Sequence, residues 1–273
     1  MYNHKIYLIE TITNTCVGSG DITFGIVDIL IQRDHTTSLP IFNSSSVKGA
    51  IREHCENKNF SPEEIKLIFG DEKYQPGLVK FYEARLLTLP LRATKKIFYS
   101  STSKFAILDY LEHLIEFLSL KDAEELKKFI EGLDFDDKEF IIFEKEKGLE
   151  IEDYESYKIE EINEKNKKLI KKYLDLNVGN LALFKDEIFK DICENSIPVI
   201  ARNKIGENGK SENLFYEEVL PRRSKLWLMI GFNKNIDENL KGKFETVLKE
   251  DFIQFGGNAS IGYGMTKIKE IGG

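Results

Sequence analysis

The sequence has few of the residues that usually cross-link a chain or bind a metal. Its three cysteines, Cys16, Cys55 and Cys193, are odd in number and far apart among the 273 residues. This spacing argues against a disulfide framework and against a zinc site built from cysteine. The four histidines show no metal-ligand spacing, and no Ser-His-Asp order can be recognised.

Long apolar runs are also missing. No stretch reaches the ~18 consecutive apolar residues that a membrane span needs. The first residues, MYNHK, lead straight into a strand-like pattern without the apolar region of a signal peptide. Hydrophobic residues make up 41% of the chain and charged residues 31%, which is typical of a globular protein. We therefore expect a folded cytoplasmic protein with no membrane partner.

Negative charge predominates, but it is unevenly distributed. The formal net charge of −7 at first argues against binding to nucleic acid. Residues 101–187 carry 14 lysines against 23 aspartates and glutamates, a net charge of −9, which leaves +2 for the remainder. Two interpretations stay open: an ordinary acidic surface, or a local basic groove outside the acidic block.

Strand-like and helical patterns alternate at both ends of the chain. Strands are predicted at residues 5–13, 25–32, 78–87 (ended by Pro90), 225–232, 252–255 and 265–271, and helices at 47–58, 102–118, 181–192 and 236–249. Two more strands, at 198–202 and 214–219, flank the polar turn GENGK and predict a long β-hairpin. The order resembles β-α-β-β-α-β at each end, which predicts an α+β fold with ferredoxin-like units.

A glycine-rich segment near the end, FGGNASIGYG at 255–264, is the first candidate binding site. Gly256, Gly257, Gly262 and Gly264 would let the backbone approach a ligand and present amide groups around Asn258 to an anion. It is neither a Walker loop nor a dinucleotide fingerprint, because no Gly-Lys-Ser/Thr follows and a strand pattern replaces the helix. A tight turn and a phosphate contact both remain open.

The start of the helix predicted near residue 47 is the second candidate. The run of serines at 44–46 precedes it, so its unpaired backbone N–H groups and the positive end of its dipole point the same way. Lys48 and Arg52 are four residues apart and share one helix face. This arrangement suits a phosphate, although a capped helix with solvated basic residues explains it as well.

Acidic residues provide the third candidate. Asp28 lies within the apolar run IVDILI, where an unpaired buried carboxylate would be costly. It is therefore exposed, paired or functional. Glu217 and Glu218 lie near Pro221 and are either ligand contacts or surface charges.

Ten short segments lie in a fixed order along nearly the whole chain. They are VGSG at 17–20, GIVD at 25–28, IQRD at 31–34, LPI at 39–41, SSSVKGAIR at 44–52, IFG at 68–70, LPLR at 89–92, STS at 101–103, LFYEEVLP at 214–221 and the glycine-rich loop. Each segment alone is weak, but in this order they resemble RAMP proteins of the Cmr type, most closely the fourth, backbone subunit of the type III-B CRISPR effector complex.

The resemblance implies one RAMP domain over residues 1–273. It implies an RRM-like, ferredoxin-like core from about 1–100 and 179–273, a charged helical insertion at about 101–178, and a hairpin thumb at about 197–219. Copies of the chain would stack along a CRISPR guide RNA, together with other subunits of the Cmr complex. The thumb would wedge between guide and complementary target RNA and displace a base pair at regular intervals.

The resemblance also implies a catalytic site. Asp28 matches the aspartate that cuts target RNA in this family, where it would bind a divalent cation, Mg²⁺ or Mn²⁺, or accept the 2′-OH proton. The expected products are a 2′,3′-cyclic phosphate and a 5′-OH. Glu217 and Glu218 are candidate accessory residues. The residues expected to contact RNA are Gly18, Ser19, Arg33, Ser45, Ser46, Lys48, Arg52, Gly256, Gly257, Asn258, Gly262 and Gly264.

One departure and several alternatives accompany this interpretation. Cys16 stands where the family often has a histidine, and a cysteine is a poorer donor that would not be cationic. A non-cutting RNA-binding scaffold would share every binding feature, and Asp28 alone separates it from a nuclease. A backbone subunit of the type III-A complex and a stand-alone nuclease for precursor CRISPR RNA are less consistent, the latter because histidine is scarce.

Overall fold

The structure is a computed structural model and describes residues 2–20, 25–71, 75–205 and 211–272. The strands are β1 (Tyr2–Thr11), β2 (Ile41–Phe42), β3 (Val79–Arg92), β4 (Phe98–Ser103), β5 (Phe140–Ile142), β6 (Tyr157–Ile159), β7 (Leu181–Phe184), β8 (Val199–Ile205), β9 (Ser211–Glu218), β10 (Lys225–Asn233), β11 (Phe252–Gln254) and β12 (Met265–Ile271). The helices are α1 (Ser44–Glu56), α2 (Pro62–Phe69), α3 (Lys104–Leu118), α4 (Lys121–Glu131), α5 (Glu164–Leu174), α6 (Asp186–Asn195) and α7 (Glu238–Glu250).

The two ends of the chain build one ferredoxin-like sheet between them. Its strands lie in the order β12-β1-β10-β3, and each neighbouring pair is antiparallel. With α1 after β1 and α7 after β10, this is a β-α-β-β-α-β unit assembled from distant segments. The α+β prediction is confirmed, but the ferredoxin-like order is completed across the whole chain and not at each end separately.

Both faces of this sheet are covered by helices. Successive residues of a strand point to opposite faces, so neighbouring residues belong to different buried clusters. On one face, Tyr7 and Leu228 belong to a buried cluster that includes side chains of α1, α2, α6 and α7. On the other face, Leu8 and Trp227 belong to a second cluster with side chains of α3, α4 and α5.

Within the described ranges, no helix is both long enough and apolar enough to cross a membrane.

The charged insertion is integrated into this architecture. The sheet continues from β3 through β4, β7, β5 and β6, so strands from the insertion extend it. The helix predicted at 181–192 is wrong in its first part, where Leu181–Phe184 is the buried strand β7 between β4 and β5. A short apolar run fits a buried strand and a buried helix equally, and here the tertiary partners decide.

Two other strand predictions need correction. The segment at 25–32 forms only single bridges, Gly18 with Ile31 and Ile29 with Glu217, and no continuous strand. Strand β3 does not end at Pro90 but continues to Arg92. Its residues 89–92 pair with β4 and no longer with β10, and a strand with one partner tolerates a residue that lacks an N–H.

Candidate nucleic-acid interface

The predicted hairpin is present as a separate two-stranded sheet. Strands β8 and β9 pair antiparallel from Val199 opposite Glu218 to Ile205 opposite Ser211. The predicted polar tip, residues 206–210, lies outside the described residues. The hairpin base is tied to the core by backbone hydrogen bonds that Thr15 exchanges with Leu220, at 2.9 and 2.8 Å. The hairpin is referred to below as the thumb.

Asp28 is attached to the thumb through Tyr216. The Asp28 N–H donates to the Tyr216 carbonyl at 3.0 Å, and an Asp28 carboxylate oxygen accepts from the Tyr216 N–H at 2.7 Å. Next to it, the Glu218 N–H donates to the Ile29 carbonyl at 2.9 Å. The Asp28 side chain is exposed, so the sequence run that surrounds it does not bury it. The local fold thus presents the Asp28 carboxylate to solvent next to Tyr216 of β9.

Glu218 also holds the segment that carries Asp28, through side-chain hydrogen bonds to Ile31 and Arg33. Its carboxylate accepts two hydrogen bonds from the Arg33 guanidinium, at 2.7 and 3.0 Å, and one from the Ile31 N–H at 3.1 Å. Arg33 also donates to the Cys193 carbonyl at 2.9 Å. Arg33 was expected to contact RNA, but its charge is matched by a buried carboxylate. The geometry therefore gives Arg33 a structural part at the base of the thumb.

Glu217 connects the thumb to the glycine-rich loop. Its buried carboxylate accepts from Arg202 on β8 and from the Asn258 side-chain amide, each at 2.9 Å. Because neighbouring strand residues point to opposite sides, Glu217 faces the loop whereas Glu218 faces the Asp28 segment. Both predicted accessory carboxylates are thus engaged with cationic or amide groups of the chain.

The glycine-rich loop combines close packing with an open surface. Gly256 and Gly264 have φ values of +76° and +80°, and a Cβ would overlap the Cys16 carbonyl oxygen at the first and the Phe255 carbonyl oxygen at the second. Gly257 and Gly262 are exposed and have open space at the Cβ position. The turn interpretation therefore applies to Gly256 and Gly264, which shape the loop. The ligand-contact interpretation applies to Gly257 and Gly262, which leave the loop surface accessible.

Cys16 lies beneath this loop, where its carbonyl accepts from the Gly257 N–H at 3.0 Å. Burial, with a further contribution from the negative charge of Glu217, raises the pKa of the Cys16 thiol to about 11. The thiol is therefore neutral near pH 7 and cannot supply the cationic donor that a histidine would provide.

Helix α1 begins beside the same surface and is positioned by a residue that sequence reasoning missed. The Gln32 amide donates to Ser46 Oγ at 3.0 Å and to the Gly18 carbonyl at 3.0 Å, and its oxygen accepts from the Asn43 N–H at 2.7 Å. The sequence signal is weak, because Gln32 directly follows the apolar run IVDILI and precedes two charged residues, and its burial is seen only in the structure. Gln32 thereby connects the start of α1 to the segment that carries Asp28 and to the neighbouring Ser19.

The basic residues of α1 are exposed. Arg52 pairs with Glu56 at 2.9 Å, a solvated contact within one helix face. Lys48 lies one turn nearer the helix start, beside exposed Ser45, at the rim of an open cavity of about 680 Å³. Lys48 and Ser45 therefore present a cation and a hydroxyl next to the start of the helix.

The structure allows a test of the expected cation site. In the part of the chain that it describes, no three histidine, cysteine or acidic side chains converge on one point. Glu217 and Glu218 already accept from Arg202 and Arg33. A cage built from protein ligands does not fit, whereas one exposed carboxylate, Asp28, fits a cation that it would share with a bound phosphate.

Comparisons with known proteins agree with this architecture. The profile of the RAMP superfamily matches residues 8–267. The CRISPR system Cmr endoribonuclease Cmr4 of Pyrococcus furiosus is 29% identical over 295 residues, which covers 98% of this chain and 97% of that protein. A cryo-electron microscopy structure of type III-B Cmr-beta bound to cognate target RNA superposes with a TM-score of 0.79 at 19% identity, over 98% of this chain and 96% of the other. A crystal structure of oligomeric Cmr4 from Pyrococcus furiosus gives 0.74 at 20% identity, over 98% of each chain.

Proposed function

This chain belongs to the RAMP superfamily, and from that premise we propose that it is a backbone subunit of a type III-B CRISPR complex that cleaves target RNA. Its partners would be a guide RNA, a complementary target RNA, further copies of itself and other Cmr subunits. The similarity to a Cmr endoribonuclease supports this assignment. The observation that carries it is the exposed Asp28 carboxylate, docked on the thumb strand at Tyr216.

The proposed RNA surface has two layers. An outer layer of exposed or half-buried groups would contact the RNA backbone, since phosphates are bound by cations, hydroxyls and side-chain amides. Gly257 and Gly262 would only allow close approach, because their N–H groups already donate to the Cys16 and Ala259 carbonyls. An inner layer would hold these groups in place. The outer layer consists of Ser19, Ser45, Lys48, Arg52, Gly257, Asn258 and Gly262, and the inner layer of Gly18, Arg33, Ser46, Glu217, Glu218, Gly256 and Gly264.

The proposed reaction uses the 2′-OH of the target RNA as nucleophile. Its oxygen forms a bond to the adjacent phosphorus while the bond from phosphorus to the 5′-oxygen breaks, leaving a 2′,3′-cyclic phosphate and a 5′-OH. Asp28 accepts the 2′-OH proton, and the leaving 5′-oxygen takes a proton from water. A nucleotide splayed by the thumb would align the attacking and leaving oxygens, and alignment alone lowers the barrier by several kcal/mol.

The alternative part for Asp28 is to hold a divalent cation, Mg²⁺ or Mn²⁺, in which case its carboxylate would not also take the proton. The cation would supply neutralisation of charge on the phosphate oxygens. Cys16 takes no part in proton transfer, because burial keeps its thiol protonated near neutral pH.

The test is cleavage of labelled target RNA by the guide-loaded complex, comparing wild type with Asp28→Asn. The amide can still accept from the Tyr216 N–H, so the local fold is retained while the negative charge is lost. We expect target binding to be unchanged and cleavage to fall about a hundredfold or more. A wild-type product with a linear 3′-phosphate at the earliest times, or cleavage of a 2′-deoxy target, would overturn the proposed chemistry.

Asp34→Asn is the matched control. Asp34 also accepts backbone N–H groups, from Thr36 at 2.9 Å and Thr37 at 2.8 Å, but in a turn of its own. It should cleave like wild type. If Asp28→Asn and Asp34→Asn both cleave like wild type, Asp28 has only a structural part. If the wild-type complex does not cleave at all, a non-catalytic guide-binding scaffold of a Cmr or Csm type is favoured.

A further inference from the structure

A cavity that the proposed cleavage site does not use lies where the edge of β3 meets α3 and the start of α1. Its volume is about 320 Å³, enough for a planar heterocycle. Among the residues around it are Tyr82, Glu83, Arg85, His113, Trp227 and Met229. In an RRM, this face of the sheet stacks RNA bases on aromatic side chains. Here α3 covers much of that face, and the cavity remains beside it.

The walls of the cavity are flat and fixed. The His113 and Trp227 rings lie 4.7 Å apart between centroids, and the Arg85 guanidinium lies 5.4 Å from the Trp227 ring. Arg85 is anchored by both carboxylate oxygens of Asp109 at 3.1 Å and by Glu83 at 2.8 Å. Trp227 itself is buried, so the planes that an occupant can reach are the partly exposed Arg85 guanidinium and His113 ring. Such planes are groups on which unpaired bases stack.

The cavity also has polar groups suited to a base edge. His113 Nδ1 lies 2.7 Å from the Asp109 carbonyl, so Nδ1 carries the proton and Nε2 is an acceptor in the neutral ring. No hydrogen bond of Nε2 is found among the described residues. The indole N–H of Trp227 is buried and cannot be reached by an occupant of the cavity. The acceptor on His113 favours a heterocycle with a donor of its own over a purely apolar occupant.

A second cavity adjoins the first and has two lysines against one acidic residue. The two share Ser44, Phe81 and Tyr82, and the second, of about 680 Å³, also includes Lys48, Lys80 and Asp71. Lys80 Nζ lies 4.2 Å from the centre of the Tyr2 ring, which lines the same cavity. An aromatic cavity beside a cationic one matches the two ends of a nucleotide, because the base is planar and the phosphate is anionic.

We propose that these adjoining cavities bind one unstacked nucleotide of single-stranded RNA, with the base beside Tyr82, Arg85 and His113 and the phosphate at Lys48 and Lys80. The inference rests on the proposed function, since it needs RNA on the surface of α1. The proposal adds a base-binding subsite to that surface and adds Lys80 as a second phosphate contact beside Lys48.

The test compares two ligands of equal length: a short single-stranded RNA and a chain of abasic ribose phosphates. The full chain and its Tyr82→Ala variant are titrated with each. Removing one stacking partner should raise the Kd for RNA about tenfold. It should leave the Kd for the abasic chain unchanged, because that ligand has no base to stack. Lys80→Ala should weaken both ligands.

Tyr154→Ala is the matched control, a half-buried tyrosine whose hydroxyl lies 3.2 Å from Asp191 in a different part of the molecule. It should bind both ligands like wild type. If Tyr82→Ala leaves RNA binding unchanged, or weakens both ligands equally, the base subsite is refuted. If the wild type binds neither ligand, the proposed function itself fails.

A second measurement needs no variant and so does not depend on whether Tyr82→Ala folds. RNA that contains 4-thiouridine is cross-linked to the wild-type chain by light, and the attached peptides are identified by mass spectrometry. We expect cross-links at Tyr82 or His113. Cross-links confined to the glycine-rich loop and the thumb would overturn the subsite while leaving the proposed function intact.

Discussion

At the scale of single residues, Glu217 and Glu218 stabilise different parts of the interface although they are adjacent. Sequence reasoning found both but could not identify Arg33 and Asn258 as partners, because they are 185 and 41 residues away along the chain. Arg202 is only 15 residues from Glu217, on the paired arm of the thumb. Strand alternation predicts that the two side chains diverge, whereas the partner of each depends on tertiary packing. Gln32 was missed for the same reason.

The ion pair of Arg33 with Glu218 leads to a stability prediction. Glu218→Gln leaves the largely buried Arg33 charge without its carboxylate and should lower the free energy of unfolding by about 2 kcal/mol. The control is Glu56→Gln, which breaks the exposed pair with Arg52 and should cost less than about 1 kcal/mol. Urea denaturation measures both. Equal losses in the two variants would contradict a structural part for Arg33.

At the scale of elements, those with a strong local pattern were predictable from the sequence. The spacing of Val47, Ile51 and Cys55 predicts α1, and the polar turn between apolar runs predicts the thumb arms. Strand β7 and the passage of β3 through Pro90 were not predictable, because they depend on partners far away in the chain. Asp28 was found by resemblance, but its hydrogen bond to Tyr216 was not.

The glycine-rich loop offers a prediction at this scale. Gly256→Ala should lower the free energy of unfolding by about 2–3 kcal/mol, because φ is positive and the added Cβ would overlap the Cys16 carbonyl. Gly262→Ala has a similar φ but open space around the Cβ, so only the backbone cost of about 1 kcal/mol applies. Thermal unfolding should rank Gly256→Ala as the less stable variant, and the reverse order would show that the loop does not pack on Cys16.

At the scale of the whole molecule, the acidity is concentrated at one end of the sheet. Residues 132–163 carry 4 lysines against 12 aspartates and glutamates, a net charge of −8, and they include β5 and β6 at the end of the strand order opposite β11. Concentration of the negative charge at that end is consistent with a chain of net charge −7 that presents basic residues at the proposed RNA surface. The insertion is also bound to the core by charge, through Asp175 at the end of α5.

Asp175 makes this attachment depend on pH. Burial alone would raise the pKa of its carboxyl, but hydrogen bonds and charge interactions with Lys269 and Lys225 outweigh it and lower the pKa to about 2. Because the pKa is lower in the folded state than the ordinary 3.8, the stabilisation is complete above about pH 4 and is lost as the pH falls towards 2. Asp175→Asn should therefore be less stable than wild type at pH 7, by a margin that shrinks below pH 4.

Denaturation of wild type and Asp175→Asn across this pH range measures that margin. Asp251→Asn is a suitable control, because Asp251 forms an exposed pair with Lys58 at 2.8 Å and a solvated pair contributes little. A margin for Asp175→Asn that stayed constant with pH, or that matched the control, would mean that apolar packing alone attaches the insertion to the core. A margin that collapses with acid would identify Asp175, Lys225 and Lys269 as the electrostatic link between the acidic block and the sheet that carries the proposed RNA surface.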